Sequence, residues 1–477
     1  MSTRTIRLDG ERCARLRRQR GWSRERLASL TSGASVLSVG TIARAERGRA
    51  VYPSSAAALA AALGVPLEEL TALPPLQAGP MAGPSTLHAR SASVEVAPFV
   101  CRTRRRGCAE VADRLSEELI YQLTGDWFSV TTVATTAPAD STRAPGASGA
   151  HYRVGGTVDE LDRVVRTTAS LVEVRGAQRL WSLQRELPDA GAPVVGVARE
   201  MAGAIRRHVQ ACEMQRAMQA QHAADAWNLA MRGLWHYQLR TPTGSRQARS
   251  LFQRAGELDP TFALARYWLV LTLQHDLLNQ WTSDGRETLG HLREGTEQLQ
   301  RIAPDHHLAS LAAARCSIAC GARDEALAWV RQALERQPDS VSARSLYGQL
   351  LSMDGRPELG LEQLELASQR GSQDPDLSGL LIGRGLSHFA AGQYEQAVQW
   401  SRKAIRERPQ VAFFYGALAA TLAHAGDRVG ARQALREMVR RQACLSSRAL
   451  QPVVASSAPA IAQRYVDGLR LAGMRDR

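Results

Sequence analysis

Between residues 38 and 52 the chain reads SVGTIARAERGRAVY, which sets Arg44, Arg47 and Arg49 among Thr41, Ile42 and Ala45. A guanidinium carries five donors in a rigid fork, so it can clamp a phosphate or take the acceptor edge of a base with two parallel bonds. Helical spacing sends Ile42 and Ala45, three residues apart, toward a core and leaves the arginines on other faces. The chemistry on offer is polyanion binding, and it depends on the elements that hold those side chains outward.

Other residues with chemical capacity are less persuasive. Cys316 and Cys320 lie four apart on one helical face with His306 and His307 upstream, a spacing open to a metal, but their small neighbours favour burial. The run RTRRRG at 102–107 reads as solvated charge, and Trp227, Trp235, Trp268 and Trp281 read as core. There is no phosphate-binding glycine loop, GxSxG elbow or HExxH, so no catalytic residues, cofactor or metal are expected and the chain is not read as an enzyme.

The whole chain has 477 residues and a formal charge of +14, with 60 basic against 46 acidic side chains, and Lys403 is its sole lysine. That balance suits a polyanionic partner, although arginine-for-lysine usage also follows genomic base composition. Its length and 44% apolar content predict several folded domains. The seven cysteines, an odd number without a CxxC pair, predict core residues rather than a disulfide framework. With no apolar run of signal-peptide or membrane-span type, a cytoplasmic protein is expected, with no membrane contact.

Four segments follow from the punctuation. Residues 1–72 hold five short helical patterns: ERCARLRRQR, SRERLASL, SVGTIARAERG, SSAAALAAALG and PLEEL. Ser23 and Ser38 stand at N-cap positions, and Gly21, Gly48 and Gly64 where helices stop. Residues 73–95, rich in Pro, Gly, Ser and Ala, read as a flexible linker. Residues 96–212, led in by an apolar strand-like run at 93–100, mix a helical pattern at 109–123 with strand-like runs at 127–136, 151–158 and 163–174, the last two flanking DELD, and predict a small α+β or α/β domain. Residues 213–477 are helical and repetitive. Ala314, Ala326, Ala333 and Pro338 recur in register as Gly385, Ala397, Ala404 and Pro409. Gly348, Gly360 and Ala367, then Ala419 and Ala431, and Ala248, Ala255 and Pro260 repeat parts of that register. The period is 34 residues with one three-residue insertion, as expected of helix pairs that cross at small side chains.

These patterns resemble known families. GQYEQAVQWSRKAIRERP, 392–409, resembles the tetratricopeptide repeat, and the resemblance covers roughly 225–445, with 263–304 a degenerate or elongated unit. It implies an α-solenoid of five or six repeats that binds a protein or peptide partner. The middle segment resembles the TolB-like domain through Asp113, Leu115, Glu118, Leu119 and Ile120, then Val154, Gly156 and Val158, then Leu180 and Trp181. Arg114 replaces the usual glycine, and 137–149 reads as a disordered loop.

Residues 11–70 resemble the Cro/C1 (XRE) helix-turn-helix domain through Trp22, Ser23, Leu27, Ala28, Thr41, Ile42, Glu46 and Gly48. That resemblance implies double-stranded DNA as a partner and makes 38–48 a recognition helix. Val39, Gly40, Thr41 and Arg44 then face base edges, with Arg44 suited to guanine and Thr41 to a thymine methyl. Arg24, Arg47 and Arg49 become phosphate contacts. Arg17 and Glu46 fall where the family can carry a structural ion pair. The stretch SLTSGASVL makes the motif turn about four residues longer than the family's tight turn. The expected protein is a mainly α, cytoplasmic bacterial transcriptional regulator, homodimeric on DNA, with an interaction scaffold as the alternative.

Overall fold

The computed structural model describes residues 8, 10–31, 37–49, 51–65, 70, 92–103, 106–124, 127–132, 150–161, 164–189, 191–219, 225–371, 377–441 and 457–474. They fall in two compact units, residues 1–82 and 83–477.

The first unit is helical: α1 (Gly10–Gln19), α2 (Arg24–Leu30), α3 (Val39–Glu46) and α4 (Pro53–Ala62). Its punctuation is chemical. The Ser23 and Ser38 hydroxyls accept from the amides of Arg26 and Thr41, each at 3.1 Å, so both act as N-caps. Gly21, Gly48 and Gly64 take φ of 67°, 64° and 63°, the left-handed turn that ends a helix without a Cβ clash. The core gathers Leu8, Leu27, Leu37, Ile42, Leu59, Leu63 and Leu70. The expected helix at PLEEL lies outside the described residues apart from Leu70.

In the second unit a mixed sheet comes first: β1 (Ser93–Val96), β2 (Val100–Cys101), β3 (Ser129–Thr132), β4 (Tyr152–Leu161), β5 (Val164–Glu173) and β6 (Gln178–Leu187). The path runs β3-β1-β4-β5-β6, with β2 also on β4. Strands β1, β3 and β4 pair in parallel, whereas β4–β5–β6 is an antiparallel meander. The parallel part requires a crossover, supplied by α5 (Arg106–Leu123), which buries Cys108, Val111, Leu115, Leu119 and Leu123 at helical spacing. Gly156 is dictated by packing, because a Cβ there would enter the Thr168 carbonyl and the Phe99 ring.

Several sequence expectations shift here. Strand β1 falls in the strand-like run at 93–100, but it begins inside the stretch given to the linker, because Val94 and Val96 are buried between two strands. Cys101 and Cys108 form a disulfide that ties β2 to α5, against the expectation of seven core thiols. Cys320 is exposed and Cys316 only partly buried, and Trp235, expected in a core, is 36% exposed. The loop at 137–149 lies outside the described residues.

After α6 (Val195–Gln219) the unit is built of helix pairs: α7 (Ala226–Gln238) with α8 (Pro242–Leu258), α9 (Ala263–Leu278) with α10 (Gly285–Ile302), and α11 (His307–Ala319) with α12 (Arg323–Arg336). Next come α13 (Val341–Met353) with α14 (Pro357–Gly371), α15 (Leu377–Ala390) with α16 (Tyr394–Glu407), and α17 (Ala412–His424) with α18 (Arg428–Arg441). A single helix, α19 (Pro459–Leu471), follows. The small residues at the crossings are fully buried: Ala248, Ala255, Ala314, Ala326, Ala333, Ala367, Ala397, Ala404, Ala419 and Ala431 all have 0% exposure. Within four pairs the turn carries a glycine at positive φ. Gly321 and Gly355 stand 34 residues apart, as do Gly392 and Gly426, while Gly355 and Gly392 stand 37 apart at the insertion. This half of the chain is a tetratricopeptide-type solenoid, and the unit at 263–304 is the elongated one, its helices separated by residues 279–284.

Candidate nucleic-acid interface

Helix α3 is short, so tertiary contacts must hold it. Ile42 and Ala45 are 0% and 1% exposed and fix its inner face. At its C-terminus, α1 approaches so closely that a Cβ on Gly10 would overlap the Glu46 carbonyl and lie 2.6 Å from the Gly48 nitrogen. Only glycine permits that approach.

Glu46 is the electrostatic anchor. Arg17 Nε donates to its Oε1 at 2.6 Å and Arg17 Nη2 to its Oε2 at 3.2 Å, while a further nitrogen of Arg17 reaches the Trp22 carbonyl at 2.8 Å. Arg24 Nε donates to Glu46 Oε2 at 2.7 Å. The Glu46 side chain is 2% exposed, Arg17 12% and Arg24 44%. Burial alone would raise the Glu46 carboxyl, but the hydrogen bonds and charges of Arg17 and Arg24 outweigh it and hold it below its usual range. One carboxylate therefore joins α1, the start of α2 and the end of α3. The sequence suggested the Arg17 partnership; it assigned Arg24 to phosphate alone and missed that the same carboxylate holds it.

On the outer face, Val39, Gly40 and Arg44 are exposed and Thr41 is half-buried. The Thr41 hydroxyl lies 3.0 Å from that of Ser38, so the capping residue sets its rotamer. Arg47 Nε donates to the Ala43 carbonyl at 2.9 Å at the helix end, and Arg47 and Arg49 are both exposed. Gly40 is not required by the fold: a Cβ there would meet only Ser38 Oγ, at an ordinary 3.7 Å. The long motif turn is clasped at its base, because Thr31 Oγ1 donates to the Ala28 carbonyl at 2.6 Å and accepts from the Leu37 amide at 3.0 Å. Thr31 and Leu37, which flank the turn, are thereby tied to one another, with Leu37 buried as the chain enters α3. Neither Gly10 nor the Thr31 clasp carries a local sequence signal, since both depend on segments meeting in space.

This arrangement is a short capped helix, buried on one side and braced at its end, whose outer face exposes backbone and arginine. Residues 14–70 match the helix-turn-helix family model. No curated protein matches the chain. Among solved structures it is similar to PilW, a type IV pilus biogenesis factor, at 19% identity over 44% of this chain and 88% of that one, with a TM-score of 0.32. It is also similar to a thermophilic tetratricopeptide-repeat protein of Thermus thermophilus, at 19% identity over 41% and 98%, with a TM-score of 0.33. A third likeness is to TolB of Acinetobacter baumannii, at 14% identity over 25% of this chain and 28% of TolB, with a TM-score of 0.20. Among the described residues no helix is long and apolar enough to cross a membrane.

Proposed function

We propose that the chain is a sequence-specific DNA-binding transcriptional regulator whose helical repeats take a protein or peptide partner. The observation that carries this reading is the outer face of α3, where Val39, Gly40, Thr41 and Arg44 stand above a buried Ile42–Ala45 face and a clamped Glu46. In this reading α3 enters the major groove, Arg44 takes guanine O6 and N7, and Thr41 meets a thymine methyl. Arg24, Arg47 and Arg49 contact phosphates, with Arg24 oriented by Glu46 as it does so. The protein acts in the cytoplasm as a homodimer on paired half-sites, without enzymatic chemistry or a cofactor. Partner binding to the repeats changes occupancy of the operator through coupling between two sites.

Salt dependence of duplex affinity tests it. Counterion release makes log K fall linearly with log salt, so the full chain should show a steep slope, and Arg47→Ala should make it shallower by about 1 per protomer. A flat salt response would mark an interaction scaffold instead.

A further inference from the structure

Helix α19 does not pack as half of a pair. It crosses the row of first helices α13, α15 and α17 and meets all three at the same end. The Ala458 amide donates to the carbonyl of Met353, the final residue of α13, at 2.6 Å. A guanidinium nitrogen of Arg464 donates to the carbonyl of Ala390, the final residue of α15, at 3.1 Å. His424, the final residue of α17, places Nε2 2.7 Å from the Arg464 carbonyl. Three successive repeats thus present equivalent positions to one helix.

The apolar contacts follow the same line. Tyr465 meets Phe389 edge-on at 6.1 Å between ring centroids, and Leu469 and Ala472 enter the core of the α17–α18 pair. Gly468 lies on Ala420 so closely that a Cβ would reach 2.7 Å from the Ala420 carbonyl. The fit is imperfect in one place. A cavity of about 30 Å³ remains between Met353, Leu386 and Phe389 on one side and Ile461 and Tyr465 on the other. The buried Tyr465 hydroxyl has no hydrogen-bond partner among the described residues. A side chain of different shape at either place would fill this contact more completely.

We propose that α19 occupies, within the same molecule, the surface on which the repeats take their partner. That partner is an amphipathic helix with small residues where Gly468 crosses Ala420 and a large apolar residue at the place of Tyr465. This inference rests on the reading of the repeats as a partner-binding surface and names the site and the ligand class. The partner competes with α19, and its apparent affinity falls by the fraction of molecules in which the helix is released.

The test uses the full chain and a fluorescein-labelled peptide of residues 457–474. Gly468→Leu in the full chain should expel α19, seen as loss of amide hydrogen-exchange protection confined to 459–471. The labelled peptide should then bind at least tenfold more tightly than to the unaltered chain. A peptide carrying Tyr465→Phe, which buries no orphan hydroxyl, should bind more tightly still. Release of α19 without a gain in peptide binding would overturn both this proposal and the reading of that face as a partner site. A variant in which α19 stays protected, or in which protection is lost throughout α13–α18, would make the helix an integral part of the solenoid. That result overturns the proposal alone and leaves the reading of the repeats as a partner-binding surface standing.

Discussion

Glu46 shows how one side chain serves both fold and interface. Its carboxyl is held below the usual range, so its contribution is fully present above the ordinary carboxylate pKa of about 4.3 and is lost as pH falls through the depressed value. Glu46→Gln in a fragment of residues 1–91 should lower stability at pH 7 by about 1–3 kcal/mol, because two guanidinium groups lose a buried acceptor. In thermal unfolding, the gap between variant and parent should close toward acid pH; a gap independent of pH would show that the carboxylate's charge contributes nothing. Gly40 separates fold from function most cleanly. Gly40→Ala should leave that fragment as stable or up to about 1 kcal/mol more stable, since alanine is the better helix former. Duplex affinity should nevertheless fall, because a methyl would stand between the backbone and the base edges; unchanged affinity would remove Gly40 from the interface. The caps and stop glycines were legible in the sequence because they act within a turn or two of chain. Arg24's second role was not, because its partner lies 22 residues away in another helix.

At the scale of elements, the sheet and the first helix pair share one carboxylate. Glu213 on α6 accepts from the Tyr152 hydroxyl of β4 at 2.6 Å and from the Trp227 indole of α7 at 2.7 Å, and Arg216 neutralises it at 2.8 Å. Burial and the neighbouring Glu213 charge raise the Tyr152 phenol well above its ordinary value, so it remains a donor throughout the accessible pH range. Trp227 is also stacked on Trp127 and Phe262, each at 6.0 Å between centroids. This tryptophan, expected in a repeat core, is buried there against Phe262 and is also the joint between the α/β part and the first helix pair. Glu213→Ala should destabilise the larger unit by about 2–4 kcal/mol, and in a double-mutant cycle Trp227→Phe should add little on top of it. Full additivity in urea unfolding would show that the two do not interact. The repeat period was legible because a small residue at a helix crossing leaves a mark every 34 positions. The disulfide was not, because Cys101 and Cys108 meet only once the strand-to-helix crossover has formed, and no CxxC spacing announces that.

For the whole molecule, the proposed function needs the helix-turn-helix unit to read DNA and the repeat unit to hold a partner on the face that α19 covers. One helix-turn-helix domain makes few base contacts, so tight binding requires two of them on one duplex. Sedimentation of the full chain with a duplex carrying the selected site should give two protomers per duplex, and one protomer would remove the dimer from the account. The domain classes could be read from sequence because caps, stop glycines and repeat spacing are local signals. The α19 docking could not, because it depends on three helices presenting equivalent ends to a fourth. The most direct measurement is selection of bound sequences from a random duplex pool by the full chain, repeated with Arg44→Ala. An enriched motif of two inverted half-sites is expected, with one guanine in each half relaxed in the variant. A folded protein that enriches no sequence at moderate salt would contradict the proposed function.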